Sequence, residues 1–166
     1  MKTANLESLF HDALRDIYYA EHKILKTLPK MMQSAQSSDL KAAFEKHAAE
    51  TEVQIRRLEL VFEMLGEPAE AKVCPAIDGI VDEGEDIIES YKNSTAIDAG
   101  LVASAQAVEH YEIARYGTLS SWANCLGMSD AAALLEETLA EETATDEALT
   151  DLAEGSINDA ALEEAA

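Results

Sequence analysis

GEPAEAKVCPAIDGIVDEGEDIIESYKNST, residues 66–95, is the stretch on which the fold turns. It opens with Gly66, a helix stop, and Pro68, which cannot continue a helix. The segment GEPAEAKVCP reads as loop. From Ala76 onward, Ile77, Ile80, Val81, Ile87, Ile88 and Tyr91 return at helical spacing. The stretch is therefore a long connection with a short helix inside it, far more chain than a turn between neighbours needs.

Long helical patterns lie on both sides. The first runs from about Asn5 to Gln36 on Leu6, Leu9, Phe10, Leu14, Ile17, Ile24, Leu25, Leu28 and Met31, the period of a helix with one buried face. Pro29 should bend its last two turns without ending it. Ser37-Ser38-Asp39 breaks the pattern and offers a cap. The second helix runs from about Leu40 to Leu65. After the connection, a third is expected from about Ala96 to Leu126, stopped by Gly127. A fourth starts at Ser129-Asp130 and fades near Gly155, leaving a loosely ordered tail. Short breaks make each pair antiparallel, and the long connection crosses from one end to the other. An all-α four-helix bundle with one long crossover is the ferritin-like arrangement.

The chain has 166 residues, which fits one domain over 1–166. Acids outnumber Lys and Arg 33 to 12, giving a net charge of −21. Such a field repels nucleic acid and anionic membranes, so neither is expected as a partner. No apolar run is long enough to span a bilayer, and MKTANLESLF has no signal-peptide pattern. Cys74 and Cys125 form no metal or redox spacing and read as free thiols in a reducing compartment, the cytoplasm.

Each long helix carries a Glu where its core stripe asks for an apolar residue. Glu21 falls between Ile17 and Ile24, Glu50 between His47 and Gln54, Glu112 between Val108 and Tyr116, and Glu142 between Thr138 and Thr145. At about 1.5 Å per residue their heights agree to within a few ångströms. Buried carboxylates are costly and raise one another's pKa. Basic residues nearby, Arg15, Lys23 and Arg115, cannot neutralise four acids, whereas two divalent cations can. Glu109, one turn before Glu112, is a fifth ligand or a surface charge. Gln54 and Asp146 follow their Glu by four and can ligate or hydrogen-bond. His47 reads equally as a core histidine, and Tyr18 and Tyr116 as site lining or core packing. His11, His22 and His110 look peripheral. IYYAEHKIL also lies over EHYEIARYG, and AETEVQ over EETATD, a weak repeat that would make the site symmetrical.

LFHDALRDIYYAEHKILKTLPKM, HAAETEVQIRRLELVFEMLG, AVEHYEIARYGTLSSWANCLG and LLEETLAEETATDEAL together resemble the YciE/YciF group of ferritin-like proteins, from Leu6 to about Ala153. The resemblance implies a ferritin-like bundle, a homodimer, a cytoplasmic stress-associated role and a dinuclear metal site. Wider relatives such as rubrerythrin and bacterioferritin carry Glu-x-x-His on the second and fourth helices; here Val53 and Thr145 stand in the histidine places. An all-oxygen set suits Mn²⁺, Mg²⁺ or Ca²⁺ at least as well as iron. Two functions follow as expectations. One is oxygen or peroxide chemistry at two metals bridged by Glu50 and Glu142, or by Glu21 and Glu112. The other is a non-catalytic stress protein whose cations only stabilise the bundle and dimer.

Overall fold

The computed structural model describes residues 4–163. Helix α1 spans Leu6–Ser34, α2 Ser38–Leu65, α3 Pro75–Tyr91, α4 Ile97–Cys125 and α5 Ser129–Leu152. No strand occurs among the described residues. Around the bundle, α1 packs on α2, α2 on α5, α5 on α4 and α4 on α1, while α3 lies across α4 and α1. This is a ferritin-like bundle with α3 in the crossover.

The helix ends follow from local chemistry. Asn5 and Ser8 form a reciprocal capping box at the start of α1. Helix α1 continues through Pro29 to Ser34. The Ser37 hydroxyl accepts from the Leu40 N–H and caps α2. Gly66, at φ 68°, closes α2 in the left-handed conformation that glycine adopts without strain. The Cys74 thiol accepts from the Ile77 N–H to cap α3, with Pro75 in the first turn.

Two contacts tie the halves together. Buried Asp98, in the first turn of α4, accepts from the backbone N–H groups of Gln36 and Ser37, both at 2.7 Å. The α1–α2 turn is thereby fixed to the start of α4. Gly100 lets α3 approach α4: a Cβ there would lie 2.6 Å from Ile87 Cγ2. After α5 the chain continues through a π-helical turn, Ala153–Ile157, and a final turn, Asn158–Ala160. The Ile157 side chain is buried in the core.

Candidate metal centre

The core is apolar at both ends and acidic in the middle. Glu21 of α1, Glu112 of α4 and Glu142 of α5 are wholly buried, each at 0% exposure, and Glu109 of α4 is at 1%. His47 of α2 joins them. One donor atom each from His47, Glu109, Glu112 and Glu142 lies within 4.8 Å of every other. His47 Nε2 reaches across the bundle to 3.2 Å from Glu109 Oε1, and Nδ1 lies 4.0 Å from Glu142 Oε2. Yet neither ring nitrogen has a hydrogen-bond partner, nor does either oxygen of Glu112 or Glu142, nor Oε2 of Glu21 or Glu109. Buried polar atoms are nearly always satisfied, so this many orphans around one point require an explanation.

On α2 the structure corrects the reading of the buried stripe. Thr51, not Glu50, takes the central place, between His47 and Gln54. Glu50 is half turned out: Oε1 pairs with Lys46 at 3.0 Å, while Oε2 is buried without a partner. The internal repeat explains the shift. Glu112 lies 91 residues after Glu21, and the buried positions Phe44, His47, Thr51, Gln54 and Leu58 match Leu135, Thr138, Glu142, Thr145 and Leu149 at that same spacing. Matching Glu50 to Glu142 is one residue out of register. Glu50 corresponds instead to Glu141, which is likewise partly exposed and paired with a cation. The site is consequently asymmetric. His47 and Gln54 on α2 face threonines in the equivalent places on α5, and Glu109 on α4 answers to Tyr18 on α1.

Around the cluster, side chains hold it in place. The Tyr116 hydroxyl, fully buried, donates a short hydrogen bond to Glu21 Oε1. Arg57 grips both oxygens of Glu141 at 2.7 Å, and Glu141 Oε2 accepts from Gln54 Nε2 at 3.0 Å. Because the amide nitrogen is committed there, Gln54 Oε1 is left buried and unpaired. Nothing in the spacing of Arg57 or Glu141 pointed to this clasp. Asp146 accepts from Gln106 at 3.2 Å, and its other oxygen lies 3.1 Å from His110 Nε2, so its carboxylate is already engaged. Tyr18 donates to Glu59 and stacks edge-on against His22 and Phe62, away from the acids.

Burial dominates the electrostatics. It raises Glu21 to about 8, reinforced by the charge of Glu142. It raises Glu142 to about 7, although the neighbouring Glu109 and Gln54 pull the other way. Glu109 and Glu112 are likewise held well above the usual carboxylate range, first by burial and then by Glu142. Burial, with Lys46 nearby, lowers His47 to about 4, so its imidazole is neutral at pH 7. Neutral imidazole is the ligating form, and a cation would stabilise the carboxylates as anions.

The donor chemistry fits a metal. At cation–ligand distances of about 2.0–2.2 Å, ligands on opposite sides stand up to about 4.4 Å apart. The observed separations are close to that. The set is also not all-oxygen, because His47 supplies a nitrogen. One imidazole with carboxylates suits iron, manganese or zinc more than magnesium or calcium.

Comparison with known proteins agrees with this architecture. The Escherichia coli K12 protein YciF is 41% identical over 140 residues, 84% of each chain. The crystal structure of that E. coli stress protein matches with a TM-score of 0.89 at 42% identity, covering 95% of this chain and 99% of that one. A Rhodopseudomonas palustris protein described as YcfI, a putative structural protein, matches with a TM-score of 0.87 at 46% identity, over 90% of this chain and 95% of that one. With residues 5–162 matching the family described as "Domain of unknown function (DUF892)", the chain belongs to that family.

Proposed function

We propose that this protein binds two divalent metal ions inside the bundle, with iron or manganese the best-suited pair. His47, Glu109, Glu112 and Glu142 hold the first. Glu21, the inward oxygen of Glu50 and the carbonyl of Gln54 serve the second, while Asp146 braces α5 from outside. The observation that carries this reading is the set of buried, unpartnered donors facing one another across four helices. When bound, such ions supply one-electron chemistry with dioxygen or peroxide. The chain's own part is positional. Tyr116 orients Glu21, the Arg57–Glu141 pair orients Gln54, and the apolar side chains above and below the acids limit the access of water.

A second reading, in which the ions only stabilise the fold, is favoured by how fully the donors are enclosed. In either case the protein serves in a cytoplasmic stress role of the kind its E. coli relative is named for. No helix among the described residues is long and apolar enough to cross a membrane. We place a homodimer contact on α2, where Val53, Leu60 and Met64 form one exposed apolar stripe. The deciding experiment is elemental analysis of the purified protein with titration of Fe²⁺ and Mn²⁺ into chelated protein. About two ions per chain are expected, and a value near zero overturns both readings. Turnover of dioxygen or peroxide by loaded protein then separates catalysis from stabilisation.

A further inference from the structure

Where α3 crosses the bundle it roofs a cavity of about 40 Å³ that ends on the acidic cluster. Every helix contributes to its wall: Ile24 and Leu28 from α1, Phe44 from α2, Val81 from α3, Val108 from α4 and Leu149 from α5. Thr27, Ser104 and Thr145 border it, and the hydroxyls of the first two are turned away. Thr27 Oγ1 donates back to the Lys23 carbonyl at 2.8 Å, and Ser104 Oγ to the Gly100 carbonyl at 3.0 Å. Carbon therefore faces the space almost everywhere, and His47 and Glu109 of the acidic cluster line it as well. Glu85, exposed and paired with Lys30 at 3.4 Å, borders it on the solvent side.

We infer that this cavity is a binding pocket for a small apolar gas, dioxygen by its chemistry, which it delivers to the His47–Glu109 side of the cluster. What the gas meets there rests on the proposed metal site; the pocket itself does not. Size and polarity select the ligand class. A water needs roughly 10–15 Å³ of such space, whereas a dry cavity that takes benzene is about 150 Å³. This pocket therefore admits molecules of two or three heavy atoms and excludes aromatic or long-chain substrates. Hydrogen peroxide is small enough, but it must leave its hydrogen bonds to water outside, and carbon walls do not replace them. Dioxygen surrenders almost none. The pocket accordingly selects between the two oxidants that the metal chemistry alone would accept. It also gives the crossover helix a role beyond connection, since α3 supplies the outer wall.

Xenon is the probe. Crystals of the full chain pressurised with xenon should show anomalous density against Ile24, Phe44 and Val108, with or without bound metal. Ala105 also lines the cavity. Ala105→Leu should abolish the xenon peak while leaving cation stoichiometry unchanged, and Val81→Ala, which enlarges the space, should strengthen the peak. Ordered, hydrogen-bonded waters in place of xenon overturn the inference, as does a peak indifferent to both substitutions, even if two cations bind as proposed. Xenon in a protein that takes up no cation keeps the pocket and removes the metal reading instead.

Discussion

At the scale of single residues, the buried acids differ in what they are asked to do. Glu142 is enclosed on all sides, whereas Glu50 leans outward onto Lys46. Glu142→Gln should weaken binding of the first cation by about 100-fold or more, and Glu50→Gln by less than about 10-fold, as measured by calorimetric titration. Glu112→Gln should show opposite signs in two melting curves. It raises the melting temperature of chelated protein at pH 7.5, by removing a carboxyl that must either bury its charge or take up a proton on folding, and cancels the rise that cations give the parent. A Gln variant that melts lower in chelator would show that the acids are not held under electrostatic cost. Glu21, Glu112 and Glu142 were legible in the sequence because each breaks a stripe in phase. The exchange of Glu50 for Thr51 was not. Steps of three and then four from His47, or of four and then three, both land on Gln54 within a helical stripe. Only packing against α5 decides between them. His47 was equally open, since an imidazole on an apolar face has the same spacing whether it packs or ligates.

Among the elements, the turns were more legible than the contacts between helices. Asn5, Ser37, Gly66 and Gly127 mark ends that local chemistry dictates, and α1 to α5 fall within a few residues of where periodicity places them. Asp98 was not foreseen, because its partners are backbone groups some sixty residues away. Asp98→Ala leaves two N–H donors of the α1–α2 turn unpaired and should cost about 3 kcal/mol, or roughly 6–12 °C in melting temperature. Gly100→Ala sets two effects against each other. Alanine favours helix by about 1 kcal/mol, but its Cβ meets a branched Ile87 that has little freedom to yield. Overpacking at about 1–3 kcal/mol should prevail. Chemical denaturation should show the loss, and adding Ile87→Ala should recover most of it.

For the whole molecule, charge governs how stability responds to pH. Glu21 and Glu142 bind protons more tightly in the folded chain than the ordinary carboxylate value of 4.5, at about 8 and about 7. Their contribution is complete below about pH 4.5 and is lost as pH rises through those values. His47, lowered from 6.5 to about 4, acts in the other direction: its contribution is present above 6.5 and lost as pH falls towards 4. The melting temperature of chelated protein should therefore decline from about pH 6.5 to 8.5, while cation affinity climbs across the same interval because binding releases the protons. A flat profile in chelator would contradict the placement of these groups.

No Lys or Arg follows Arg115, yet the final long helix, α5, brings the fully enclosed Glu142. That helix is also synthesised after the other four. Until it docks, the carboxylates of the earlier helices face water and remain ionised cheaply. The expense of crowding them together then falls largely on the docking of that helix. On the proposed metal reading, an ion captured at that moment would remove the obstacle, so the availability of metal should set how quickly the chain closes.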